Sequence, residues 1–370
     1  MKIIFLLLIS TLTFSKSLEL ISYNVENLFD TQHDEGKEDW TFLPKDTKGK
    51  KEACKKIGSH YRRQECFEID WTEGKLAIKL SQIKDVLLKE RKTLPNILGL
   101  VEIENENVIS KLAKVLGYEK FVVSNSPDKR GIDLALLYQE SADLKFVSKE
   151  EHELKGDYFI KRPSRNILEV KFRLAGKYDL YVFVNHWPSL GNPDIAREIA
   201  ANTLKTRFSE IEKTNKDALL LAMGDFNTIP KLKKKGNKHP FSDVLLVDSG
   251  IKDLGEEFYS KNKNNKNFVD SNPKGSYFYA REGEWNHLDR IFFNKNLENG
   301  KTPELDVSSY HIYAPEFINK NDQDFDDENS SHFKKSKKKE GTPNRYDHKA
   351  RDKKTAGFSD HYPVIFKINY

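Results

Sequence analysis

Several apolar runs in this chain end or begin with a carboxylate, an amide or an imidazole. Asn24 follows LELISY, Glu102 follows NILGLV, and His186 follows YVFVN. Asp225 and Asn227 close LLLAMGDFN, Asp289 opens DRIFF, and Asp360 with His361 leads into YPVIFKINY. Each has an ordinary explanation by itself. Asp and Asn begin Asx-turns, so Asp225 and Asn227 fit a turn. Asn24 fits a strand cap, Glu102 a solvated strand end, and His186 a core histidine beside Trp187. Together they point to chemistry, because strand ends in a layered sheet converge on one edge, where function collects. Carboxylates, amides and two histidines, without a cysteine cluster, suit a hard divalent cation and phosphate chemistry. A calcium loop starting at Asp225 is excluded, since its third ligand would be Ile229 and its turn glycine Pro230.

The elements that must position these residues are legible in the hydrophobic period. LELISYNVENLF alternates like a strand, and NILGLVEIEN, KFVVS, DLALLY, ILEVKF, YDLYVFVNHW, ALLLAMGDFN, LDRIFF and HYPVIFKINY read as further strands. LLLAMGD is apolar without alternation, as a strand covered on both faces is. EGKLAIKLSQIKDVLLKER places Leu76, Leu80, Ile83 and Leu87 on one helical face, and a short helix over Val108 to Leu116 ends at Gly117. DIAREIAANTLKTRFSEIE is a third amphipathic helix, through Ile195, Ile199, Leu204, Phe208 and Ile211. Helices interleave with strands, yet several strands adjoin without a helix. That pattern predicts mixed sheets with helices outside. No internal repeat and no linker divides the 370 residues, which are 37% hydrophobic and 32% charged.

The N-terminus MKIIFLLLISTLTFSKS carries one lysine and an apolar run too short to span a bilayer, with Ser15 and Ser17 placed for cleavage before Leu18. Residues 1–17 are therefore expected to be a signal peptide, and the protein to be secreted or periplasmic. Cys54 and Cys66 suit an oxidising compartment and are expected to pair. The segment between them is basic and reads either as a stapled, solvated surface loop or as a loop that meets an anionic partner. Net charge is only +5, from 62 Lys+Arg against 57 Asp+Glu, too little to imply nucleic acid by itself. The distribution says more, since KLKKKGNKH, with Lys233, Lys234 and Lys235, directly follows the Asp225 segment. An acidic run and then a basic run fill 319–355, which reads as a low-complexity, solvated insertion.

SYNVENLF, LVEIEN, VNHWPS, MGDFN, LDRIFF and FSDHYPV, in this order, resemble the motif series of the endonuclease/exonuclease/phosphatase superfamily, the deoxyribonuclease I-like fold, over about Leu18 to Tyr370. The resemblance implies an α/β fold, a four-layer α/β/β/α sandwich with two mixed β-sheets. It implies a single domain over 18–370 with insertions near 33–72, 231–239 and 319–355. It also implies metal-dependent hydrolysis of phosphate esters, with Mg²⁺ expected and Mn²⁺ or Ca²⁺ as alternatives. By the same resemblance, Asn24, Glu102 and Asp360 hold the metal. Asp225 and Asn227 orient the attacking water at phosphorus. Asp289 holds the ring of His361, which acts as general base or electrostatic partner, and His186 donates to the phosphate. Asp133 is expected to orient His186, and Arg165 to bind phosphate. The expected function is an exported, Mg²⁺-dependent nuclease acting on DNA, and secondarily RNA, with little sequence preference. The protein is expected to be a monomer with no stable membrane association once the signal is cleaved. The alternatives are a phosphomonoesterase or sphingomyelinase-like phosphodiesterase, and a non-catalytic adhesion or binding protein on the same scaffold. A lipid substrate requires an exposed aromatic hairpin, and the sequence shows no clear one.

Overall fold

The computed structural model describes residues 16–298, 300–320 and 341–370. The expected signal peptide lies outside them apart from Lys16 and Ser17, and so do the acidic run after Lys320 and the basic run before Gly341. In chain order the strands are β1 (Ser17–Leu28), β2 (Ile97–Ile103), β3 (Lys120–Val123), β4 (Asp133–Tyr138), β5 (Leu144–His152), β6 (Ile167–Leu174) and β7 (Tyr178–His186). They continue as β8 (Leu219–Asp225), β9 (Lys252–Asp253), β10 (Tyr277–Tyr279), β11 (Glu284–Asn286), β12 (Asp289–Phe293), β13 (Glu304–Ile312) and β14 (Val364–Asn369). The helices are α1 (Lys50–Lys56), α2 (His60–Glu68), α3 (Glu73–Leu88), α4 (Glu106–Leu116), α5 (Asp157–Lys161), α6 (Asp194–Thr214), α7 (Leu254–Asn262) and α8 (Lys266–Ser271). Among the described residues no helix is long and apolar enough to cross a membrane.

Two six-stranded sheets form, in the orders β13-β14-β1-β2-β4-β3 and β5-β6-β7-β8-β12-β9, and β10 pairs with β11 as a separate hairpin. Each sheet has a parallel pair near its centre, β1 with β2 and β7 with β8, and its other pairs are antiparallel. A parallel pair needs a crossover, and α3 and α6 lie in those two connections. The expected α/β sandwich with two mixed sheets is what forms. The sheets pack face to face. Leu219, Leu221 and Met223 of β8 share one core with Leu98 and Leu100 of β2, while Leu220 and Ala222 share a second with Leu204 and Phe208 of α6. Alternation along β8 thus sends odd-numbered residues between the sheets and even-numbered ones under the helix.

Three expectations need correction. Ile195 is not on the buried face of α6 but 44% exposed, and the buried stripe runs through Ala196, Ala200, Leu204, Phe208 and Ile211. These residues recur at a spacing close to four, and the small alanines let the helix lie close on the sheet. The segment between Cys54 and Cys66 is stapled and largely exposed as expected, but it is helical rather than a loop, forming α1 and α2. The buried Lys50 ammonium donates to the carbonyls of Leu43 (2.5 Å) and Ile69 (2.8 Å), and Trp71 Nε1 donates to Phe29 O, at the end of β1. The described part of the last insertion is not free in solvent either. Thr342 and Tyr346 are buried, and His348 packs against Phe42 and Trp71. Polar composition hid this packing, because the apolar contacts come singly from distant segments. Strands β5 and β13 were also not evident in the sequence, since their polar residues obscure the alternation.

Cys54 and Cys66 are bonded, with Cα atoms 5.6 Å apart and a sequence separation of 12. In the chain-entropy model a loop of this size contributes about 3 kcal/mol. Cys54→Ser with Cys66→Ser is expected to lower stability by that order in urea unfolding. Non-reduced wild-type protein should show no free thiol by mass spectrometry.

Candidate active site

Pairing register places three of the polar residues in one row. His186 of β7 pairs with Asp225 of β8, and Asp225 pairs with Asp289 of β12. All three follow the alternation that points Val184, Met223 and Ile291 between the sheets, so their side chains project there too. Asn24 approaches from the other sheet. Its Nδ2 donates to Asp225 Oδ2 (3.2 Å) and to Glu102 Oε1 (3.3 Å), joining the two sheets at their edge. Asn24, Glu102, His186 and Asp225 all stand near the carboxyl ends of the two parallel pairs, where open α/β sheets place their sites.

Glu102 arrives there by a backbone irregularity. The register of β2 with both neighbours shifts between Val101 and Ile103, and Glu102 has φ 65°. Opposite it, Glu26 and Asn27 have φ 54° and 60°. A left-handed conformation at three non-glycine residues is costly and re-aims the side chains involved. Asn27 N donates to Glu102 Oε2 (3.2 Å), fixing the carboxylate. Gly224 allows another departure, with φ 136° where a Cβ would lie 2.0 Å from Asn185 O.

Asp225 is held from several directions. Asn227 donates to it through its backbone N (2.8 Å) and through Nδ2 (3.0 Å), and Nδ2 also reaches Trp187 O. His361 stands beside it, with Nδ1 2.6 Å from Asp289 Oδ2 and Nε2 3.9 Å from Asp225 Oδ2. Ser359 positions this last segment by donating to Asn24 O, and Asp360 N donates to Glu26 Oε2. The two histidines are driven apart electrostatically. Burial, then the nearby charges of Arg165 and Arg130, holds His186 well below the usual imidazole range. Burial also opposes charge on His361, but Asp289, Asp225 and Asp360 outweigh it and raise its pKa well above that range. Burial pushes Asp225 up to about 7 despite the proximity of His361.

Ligand atoms of Glu102, His186 and Asp225 lie within 4.8 Å of one another. Carboxylates crowded around amide donors, with buried His186 Nδ1 and Asp289 Oδ1 lacking partners, fit a divalent cation and a polar substrate. Asp360 stands at the rim of this group, 4.0 Å from His361 Nε2, and is not among the three.

Two assignments are not supported by the geometry. Asp133 does not orient His186: it accepts from Ser124 and Ser126, while His186 Nδ1 has no partner. Arg165 is 5% exposed, and its guanidinium donates to Trp187 O (2.7 Å) and Asp128 (3.4 Å). With both terminal nitrogens engaged and only the buried Nε without a partner, this guanidinium braces the end of β7 rather than presenting a fork to phosphate. Arg130, beside the site and partly exposed, was missed; only its place in the KRGID segment could have signalled it. Glu26 was missed as well. It receives Arg345 Nε, Tyr346 N and Asp360 N, and so couples the last insertion to the site. Lys233, Lys234 and Lys235 are exposed, on a loop fixed by Asp194, which accepts the backbone N–H of Lys233 and Lys234. The hairpin β10–β11 brings Tyr277 within 4.9 Å of the His361 ring and carries Phe278, Tyr279 and Trp285. Those rings are half-buried, and the exposed tip is Arg281, Glu282, Gly283 and Glu284.

The fold is similar to that of solved structures. Truncated Caenorhabditis elegans TDP2 aligns with TM-score 0.53 and 13% identity over 96% of this chain and 98% of its own. D. rerio TDP2 complexed with single-strand DNA product aligns with TM-score 0.51 and 15% identity over 96% and 99%. A mannosyl-6-phosphatase of Bacteroides thetaiotaomicron aligns with TM-score 0.52 and 12% identity over 95% and 100%. No curated protein matches in sequence. The family model described as "Endonuclease/Exonuclease/phosphatase family" matches residues 19–370, and with the catalytic-type groups gathered at one sheet edge the chain belongs to that family.

Proposed function

We propose that the protein is an exported, divalent-metal-dependent phosphodiesterase that hydrolyses DNA, and RNA secondarily, with little sequence preference. The observation that carries the hydrolytic part is the row His186–Asp225–Asp289 facing Asn24 and Glu102 across the two sheets. The exposed lysines after Asp225 favour a polyanion. A lipid substrate is not favoured, because the hairpin tip beside the site is charged.

Glu102 would hold the cation, with Asn24, His186 and Asp225 close by and Asp360 at the rim. When bound, the ion supplies Lewis-acid polarisation of a phosphate oxygen. Asp225 orients the attacking water and takes its proton. Asn227 acts through Asp225, since its amide is already committed to that carboxylate and to Trp187 O. Asp289 fixes Nδ1 of His361 as a donor and favours the charged ring, leaving Nε2–H to face the phosphate as an electrostatic partner. His186 is the second imidazole available to a phosphate oxygen.

Purified protein is expected to degrade plasmid DNA with Mg²⁺ and to stop when a chelator is added, while hydrolysing sphingomyelin and sugar monophosphates poorly. The reverse preference would overturn the nuclease reading. Lys233→Gln with Lys234→Gln and Lys235→Gln should flatten the log–log salt dependence of DNA binding by about 2–3 units if all three meet phosphates. The same change should leave hydrolysis of bis-para-nitrophenyl phosphate unaltered. An unchanged salt slope with full activity on long DNA would assign these lysines to solubility. N-terminal sequencing of exported material should begin at Leu18, a cut that removes the Ser17–Asn369 pair and the Lys16–Tyr370 hydrogen bonds and leaves Leu18 with Ile368 as the first pair of β1.

A further inference from the structure

A cleft of about 930 Å³ opens beside the site, walled on one side by the disulfide-stapled insertion and lined by Trp40, Tyr61, Arg62 and Arg130, among others. It adjoins the catalytic groups directly. Asn27 lines it and donates to Glu102, and Arg345 lines it and binds Glu26, which receives Asp360 N. Its volume is at the upper end for a small-molecule site.

The wall is rigid for physical reasons. The Cys54–Cys66 bond ties α1 to α2, Lys50 anchors the insertion on three carbonyls, and Trp40 packs on His33 with ring centroids 3.8 Å apart. Tyr61 is 64% exposed, an unusual position for a large ring in a wall held this firmly. The charge on offer is positive. Of the acidic groups lining the cleft, Asp39 accepts from His33 and from Asp34 N and Glu52 pairs with Lys55, which leaves Glu38 and Glu65 against Lys56, Arg62 and Arg130 in the lining. Arg62 has no ion-pair partner among the described residues, and Arg130 has only Asp128. The exposed Tyr61 and half-buried Trp40 rings, with the unpaired Arg62 and the partly exposed Arg130, form a platform for a base and a track for phosphates.

We propose that this cleft is a stacking subsite for an unpaired nucleotide next to the scissile phosphate, with Trp40 and Tyr61 receiving the base and Arg62 and Arg130 the backbone. The proposal rests on the nucleic-acid reading above and adds strand preference to it. A base inside a duplex is paired and stacked, and it cannot lay its face on a protein ring until it is extruded. The cleft therefore favours single strands and frayed ends over intact duplex.

The test uses the full exported protein, a fluorescein-labelled oligothymidylate, and a blunt duplex of mixed sequence, with chelator present to prevent cleavage. Trp40→Ala and Tyr61→Ala should each weaken single-strand binding by about 5- to 150-fold, with little change for the duplex. Hydrolysis of bis-para-nitrophenyl phosphate should stay at the wild-type rate. Because Tyr61 is mostly exposed, its variant reports even if Trp40→Ala disturbs the insertion. Wild-type single-strand affinity in Tyr61→Ala, or equal losses on single strand and duplex, would overturn the proposal. If DNA is degraded normally by both variants, the subsite fails and the nuclease reading stands. If the wild type binds oligothymidylate through these rings yet cleaves neither DNA nor the small ester, the subsite stands and the nuclease reading fails.

Discussion

Asp225→Ala is expected to lower the rate of phosphodiester cleavage by about 10²–10⁴-fold while the protein stays folded. The carboxylate is 2% exposed and lies where both sheets meet, accepting from Asn24 and Asn227 with His361 close by. The fold does not depend on it, since β8 is held by backbone pairing on both sides and by Leu219, Leu221 and Met223 in the core. His361→Ala should produce a loss of the same order, because it removes the ring that Asp289 holds toward Asp225. If the two residues act as a unit, the double variant should be little worse than either single one. Plasmid degradation and small-ester hydrolysis measure the loss, and circular dichroism checks the fold. Wild-type degradation by either variant would end the mechanism.

Gly224→Ala should damage stability and the site together. A Cβ there would sit 2.0 Å from Asn185 O and 2.9 Å from the carbonyl carbon and nitrogen of the same residue, at φ 136°. The obstructing atoms are backbone, and Asn185 is the register partner of Gly224, one position before His186 meets Asp225. Relief requires the two strands to part at the very row that carries the candidate catalytic groups. A cost of at least about 3 kcal/mol is expected in urea unfolding. Gly99→Ala is the control. Its Cβ would meet Met223 Cε at 2.4 Å, but that atom ends a flexible side chain, so the cost should be nearer 1 kcal/mol. Equal effects of the two substitutions would contradict this account of why glycine precedes Asp225.

Much of this molecule was written in its local sequence. Apolar runs marked β2, β7 and β8 because strands buried on both faces need them, and the helical period marked α3 and α4. The polar residues closing those runs identified Asn24, Glu102, His186, Asp225, Asn227, Asp289 and His361, because a carboxylate or imidazole at the end of a buried strand stands out against its neighbours. The two cysteines identified their own pairing. What depends on register and on contacts distant in sequence could not be read that way. Alternation says that Asp225 shares a face with Met223, but only the pairing of β8 with β7 and β12 puts His186 and Asp289 on either side of it. Nothing local indicates that Arg165 donates to Trp187 O or that Asp133 serves two serines. Glu26 and Arg345 are 319 positions apart and meet because β14 closes the sheet beside β1, carrying the last insertion back to the site. The cleft walled by Trp40 and Tyr61 arises in the same way, from a polar insertion folded by one disulfide, one buried lysine and aromatic contacts supplied by the far end of the chain.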